Sequence, residues 1–215
     1  MFRSFTLTPL LMLCLIAQGC SEEKALKSAT STSESKLKSG SKPVSKQTLY
    51  RQWHDQCLAG KTEDIDAQIK RYEAKLKTDA HDQLARVYLG SACAQRAKAS
   101  FWGPTKLKYL KRGQSLMDDA VKATPHDPLV RMVRAIGSYK VPKRFNRRKI
   151  ALADFETLVP IATDTSSGLK TNERQAILYY AWLTFKEEEH RDAHKAKTCC
   201  HQLEPTSKYG KLTKP

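Results

Sequence analysis

Two groups of side chains in this sequence have the types and spacing to do chemistry. The first is the run His190-x3-His194-x4-Cys199-Cys200-His201. At 100° per residue, His190, His194 and His201 would fall within about 40° of one another on a helix, the geometry of a metal-ligating face. Arg191, Lys195 and Lys197 intervene, and their charge repels a cation. The run is therefore read as exposed histidine on a charged helix, and no metal is assigned to it. The second group is basic. Lys106, Lys108, Lys111 and Arg112 share one stretch, while Lys140, Lys143, Arg144, Arg147, Arg148 and Lys149 crowd ten residues around Phe145. Such clusters suit an anionic partner: a protein's acidic face, lipid head groups or an envelope polymer. The sequence has no G-x-S-x-G, H-E-x-x-H or C-x-x-C and no Gly-rich phosphate loop, motifs that mark common enzyme chemistries. No catalytic residue and no cofactor is expected.

These residues belong to a chain of 215 residues with 38 Lys or Arg against 22 Asp or Glu, a net charge of +16. The length suits one domain with a tail. A hydrophobic content of 40% is enough for a core and excludes wholesale disorder. No apolar run approaches the roughly 20 residues of a membrane span, which excludes a polytopic membrane protein. From Gln47 onward apolar residues recur every three or four positions, the helical period. This spacing predicts helices near 47–59, 62–78, 82–99, 105–123, 128–139, 147–160, 172–187 and 191–203. Turn residues separate most of them: Gly60, Gly103-Pro104, the Pro125 to Pro128 stretch, Pro142, and Thr165 to Gly168. The fold class is all-α.

The N-terminus reads differently. Arg3 precedes an apolar stretch from Phe5 to Ala17, about 13 residues, too short to cross a bilayer but of the length of a signal-peptide core. The Ala17-Gln18-Gly19-Cys20 that follows resembles the lipobox of bacterial lipoproteins, in which a small residue precedes a cysteine that receives the lipid and becomes the mature N-terminus. Gly19 and Cys20 match that pattern; Ala17 and Gln18 depart from it. The same three residues before the cysteine also satisfy the small-x-small rule of ordinary signal cleavage. The resemblance implies a signal peptide over 1–19, lipidation at Cys20 and, with Ser21 after the cysteine, the outer membrane. Residues 21–46 hold eight Ser and six Lys with almost no large apolar group, and residues 20–46 are read as a flexible tether spanning about 25–30 Å.

Residues 47–215 resemble a tetratricopeptide-repeat protein. Gly113-x3-Met117-x2-Ala120-x4-Pro125 has the small-large-small-Pro spacing of that family's second helix. The spacing recurs at Ala151-x3-Phe155-x2-Leu158 and at Ala193-x3-Lys197-x2-Cys200-x4-Pro205. Leu89-Gly90 matches the Leu-Gly pair of a first helix, and Ile177, Tyr180, Ala181 and Thr184 fall at first-helix positions. The small positions 113, 151 and 193 are 38 and 42 residues apart rather than the family's 34. Lys197 occupies a normally large apolar place, which suggests a capping pair with a wetter face. The resemblance implies a short array of antiparallel helix pairs wound into a superhelix.

Outside the cytoplasm the four cysteines of this region, Cys57, Cys93, Cys199 and Cys200, would meet oxidising conditions. Cys199 and Cys200 point about 100° apart on a helix and do not suit each other. Cys57 and Cys93 lie on consecutive first helices and could meet; Cys93 and Cys200 also sit where small packing residues belong. Buried free thiols and a single disulfide both stay open. Taken together, the expectation is a non-catalytic, lipid-anchored periplasmic adaptor that binds an unidentified envelope protein or peptide. The alternative is a binder of an anionic polymer or nucleic acid through 106–112 and 140–149, although an export signal argues against nucleic acid. The oligomeric state is left open.

Overall fold

Ser45 opens the first helix: its Oγ accepts the backbone N–H of Thr48, satisfying one of the donors that a helix start leaves unpaired. The computed structural model describes residues 44–215, so the signal peptide, Cys20 and most of the tether lie outside the described residues. Nine α-helices follow in order among the described residues: α1 Lys46–Ala59, α2 Thr62–Thr78, α3 Gln83–Ala99, α4 Gly103–Ala123, α5 Pro128–Lys140, α6 Arg148–Thr163, α7 Thr171–Glu187, α8 Ala193–Leu203 and α9 Lys208–Leu212. A 3-10 turn, Lys143–Phe145, lies between α5 and α6. The described residues contain no strand.

Local chemistry accounts for most of these bounds. Asp82 accepts from the Ala85 N–H at the start of α3, and Asp127 accepts from Leu129 and Val130 ahead of Pro128, which occupies the first position of α5. Glu173 reaches back to the Lys170 N–H at the start of α7. The fold starts one residue before the expected 47, because Lys46 is helical and its Nζ pairs with the buried Asp82 at 2.8 Å. The sequence-predicted end of α6 at Pro160 is also passed. Pro160 lies exposed within the last turn, and the helix runs on to Thr163.

Each helix packs on the next, and α1, α3, α5 and α7 also pack on one another in succession. Helix α3 is the centre: Val87 to Cys93 are all buried, between α1, α2, α4 and α5. Backbone meets backbone where it crosses α4. A Cβ placed on Gly90 would lie 2.7 Å from the Gly113 carbonyl oxygen, and one on Gly113 would lie 2.6 Å from the Gly90 oxygen. Met117, Ala120, Ala151, Phe155, Leu158, Ile177, Ala181, Ala196 and Cys200 are fully buried in one core, so the first two copies of the small-large-small spacing fall on packing positions, whereas Ala193 of the third is only half-buried. Lys197 stays out of that core, its Nζ 5.8 Å from the Trp182 ring centroid. Helix α9, which the apolar spacing does not predict, closes the far end by packing on α7 and α8. Residues 44–215 thus form a compact unit with a core of their own.

Candidate functional site

The expected basic cluster around Phe145 keeps Lys140, Lys143, Arg144 and Lys149 exposed, while two of its arginines turn inward. Arg147 is buried and holds both oxygens of Asp118, at 2.7 and 2.8 Å, in the paired fork geometry that suits a guanidinium. Arg148 folds inward: its Nε donates to Glu187, Nη1 donates to the carbonyls of Tyr139 and Val141, and its guanidinium stacks over the Tyr139 ring. Lys143 pairs with the same Glu187 at 3.2 Å. Lys140 is exposed, with its Nζ 5.2 Å from the Tyr180 ring centroid. Arg144 stays exposed over Phe145. Asp118 and Glu187, 29 and 39 residues from the arginines they hold, take up charge that looks free in the linear chain.

The α4 group fares better. Lys106, Lys108 and Lys111 are exposed, while Arg112 pairs with Glu73. The structure also brings this group towards Arg144. Leu110 packs with Ala97 and Val141 in a small satellite cluster, and Tyr109 and Phe145 flank it. Three aromatic and aliphatic side chains that the basic reading passed over stand at the same end: Phe101, Trp102 and Leu107 are all exposed. Their signal was in the sequence, as a Phe-Trp pair in the turn before Gly103-Pro104, where a short helix connection needs no large apolar residue.

A second assembly lies along the ridge where α1, α3, α5 and α7 pack in succession. His54 Nε2 and Ser91 Oγ are 2.8 Å apart, and the His54 ring lies against Tyr88. Burial pushes the His54 pKa down to about 4, and the charges of Lys140 and Arg51 act in the same direction. Tyr139, Tyr180, Tyr179 and Tyr209 continue the ridge as a run of ring contacts from α5 through α7 to α9. The first and seventh helices are tied across it. Buried Glu173 accepts from Gln47 Nε2 at 2.6 Å and from Arg51 Nη1 at 3.3 Å. That link joins residues more than 120 positions apart and has no sequence signature.

The His54 shift carries a pH dependence. In the unfolded chain this imidazole takes a proton as pH falls below 6.5, whereas in the folded chain it resists until about pH 4. Its contribution to stability is thus complete above pH 6.5 and is lost as pH falls towards 4. Between pH 7 and pH 5 the loss should be about 2 kcal/mol. His54→Gln keeps a partner for Ser91 but cannot titrate, so its urea midpoint should fall less over that interval. Parallel losses in the two proteins would show that His54 is not the responsible group.

The histidine and cysteine run is not one helix. Glu189 adopts a left-handed φ of 52° and α8 begins only at Ala193, so His190 sits in the turn, packed on Phe185 and 3.3 Å from Glu156. His201 Nδ1 bonds the Gly210 carbonyl, and His194 is exposed. Among the described residues no group of three His, Cys, Asp or Glu could hold a metal ion. Cys57, Cys93, Cys199 and Cys200 are free thiols. Burial pushes the Cys57 and Cys93 thiols up to about 12 and about 11, which keeps them protonated and poorly nucleophilic at neutral pH.

No family model, curated protein or solved structure matches the chain, which leaves its residues and their geometry to indicate what it does.

Proposed function

We propose that the chain is a non-catalytic, lipid-anchored docking protein of the bacterial cell envelope, built from tetratricopeptide-type helix pairs and recognising an envelope protein or peptide. The observation that carries this reading is the packing order: each helix packs on the next while α1, α3, α5 and α7 form a continuous inner ridge. Stacked pairs of this kind present an extended face for recognition. The reciprocal contact of Gly90 and Gly113 supports the same reading, because Gly90 falls in the Leu-Gly pair of a first helix and Gly113 at the small position of a second. The signal-like N-terminus and Cys20 supply the anchor and the compartment.

The Gln47, Arg51 and Glu173 link ties the ends of the inner ridge, so a partner is met at the rim and on the outer basic surface rather than in a deep open groove. Cell fractionation tests the anchor. The native chain should be in the membrane fraction and released by detergent, and Cys20→Ser should leave that fraction or accumulate with its signal uncleaved. An unmodified native chain in the cytosol would sink the proposal, as would full lipid labelling of Cys20→Ser. Cross-linking in intact cells should then capture the envelope partner.

A further inference from the structure

Among the described residues, the two most exposed large apolar side chains share one turn. Phe101 is wholly exposed and Trp102 is 66% exposed between α3 and α4, and Leu107, 41% exposed, follows in α4. A Cβ at neighbouring Gly103 would meet nothing within 4 Å, so the turn stands clear of the fold. It is nevertheless held in shape. Buried Ser100 donates to the Arg96 carbonyl and accepts from the Arg96 guanidinium, and the Trp102 carbonyl accepts the Lys106 N–H at 2.9 Å. Pro104 fixes the backbone in the first turn of α4.

The chain segment around the turn carries one sign of charge. Residues 83–117 include seven Lys or Arg and no Asp or Glu. Arg96 and Arg112 are paired with Asp66 and Glu73, but Lys98, Lys106, Lys108 and Lys111 remain exposed. Arg144 adds to them across the cluster of Ala97, Leu110 and Val141. Rings that project from among lysines have no favourable contact in water. At the surface of an anionic bilayer the indole and phenyl groups enter the interfacial layer while the ammonium groups meet phosphates. A nucleic-acid duplex would engage the lysines but offers no apolar layer for Phe101 and Leu107.

We propose that the α3–α4 turn docks the domain on an anionic phospholipid bilayer, with Phe101, Trp102 and Leu107 inserting and Lys98, Lys106, Lys108 and Lys111 contacting head groups. The proposal deepens the envelope reading and rests on it only for the presence of a membrane nearby. It gives the domain a second membrane contact, and paired weak signals together hold a protein at a bilayer far better than either alone.

The test uses a chain beginning at Ser21, which keeps the compact unit of 44–215 and lacks both Cys20 and the apolar leader. It should sediment with vesicles of phosphatidylglycerol and phosphatidylethanolamine about tenfold more tightly than with phosphatidylcholine vesicles. Lipids brominated in the acyl chain should quench its tryptophan emission, and Trp102→Ser should abolish that quenching. Phe101→Ser with Trp102→Ser should weaken binding about tenfold while thermal unfolding stays unchanged, because both side chains are solvent-exposed. Lys106→Glu, Lys108→Glu and Lys111→Glu together should remove it. Unchanged binding in the aromatic variant, no quenching, equal binding to both vesicles or tighter binding to duplex DNA would each overturn the proposal. Because the tested chain lacks Cys20, these outcomes are independent of the fractionation result for the anchor.

Discussion

Replacing Gly113 by alanine should cost about 3 kcal/mol of stability or more. The new Cβ would lie 2.6 Å from the Gly90 carbonyl oxygen and 3.2 Å from the Ala94 nitrogen. Both are backbone atoms of a helix packed on several sides, so no side-chain rotation relieves the clash. The axes of α3 and α4 must separate, and α3 cannot shift without disturbing its packing on α1, α2 and α5. Gly90→Ala meets the Gly113 oxygen and Met117 Cγ at 2.7 Å and should act similarly. The double variant should lose less than the two losses added together, because one separation of the helices makes room for both methyl groups. Gly103→Ala, with open space around it, should be neutral or stabilising by about 0.5 kcal/mol in the first turn of α4. Urea unfolding of the four variants measures this directly. A Gly113→Ala protein as stable as the parent would show that the close approach of α3 and α4 is not as described.

Removal of the Asp154 carboxylate should be similarly costly. Asp154 is fully buried in α6 and accepts from Arg131 Nη1 at 2.8 Å and from Arg134 Nε and Nη2 at 2.8 and 2.6 Å, both arginines lying on α5. Arg134 extends the network to Asp118 of α4, which Arg147 also holds. Asp154→Ala leaves two mostly buried guanidinium groups facing each other without the anion between them. A loss of about 3 kcal/mol is expected, less than for a wholly dry site because both arginines keep some access to water. Asp154→Asn should fall between, since it retains an acceptor but not the charge. The triple substitution Arg131→Met, Arg134→Met and Asp154→Leu should recover most of the loss, because the cost lies in stranding a charge rather than in lacking the pair. Chemical denaturation of the series separates these cases. Equal losses for Asp154→Ala and the triple variant would show that packing, not charge, dominates at this site.

Legibility in the sequence was uneven across the molecule. Eight helices follow from apolar residues every three or four positions and from punctuation such as Asp127-Pro128 and Gly60, because capping and helical periodicity act over a few neighbouring residues. The five-residue helix α9 and the turn at Lys143–Phe145 escape such a reading. Both are too short to show a period, and α9 owes its place to Tyr209 packing on Tyr179 and Tyr180. The helical reading of 191–203 fails at its first residues because the left-handed backbone of Glu189 belongs to the packing of His190 on Phe185.

The candidate site divides in the same way. Local sequence is enough to say which segments are helical, where small residues permit close approach, and that positive charge concentrates in 106–112 and 140–149. Only the packing of the helices settles which of those charges remain available. Arg112, Arg147 and Arg148 find Glu73, Asp118 and Glu187 on other helices, whereas Lys106, Lys108 and Lys111 on α4 stay exposed. Packing also leaves Phe101 and Trp102 in solvent beside them, and it brings Gln47 and Arg51 of α1 to Glu173 of α7. The reason is one of range. Helix formation is set by interactions within about four residues, while the charge of a surface depends on which distant carboxylates folding brings within hydrogen-bond reach.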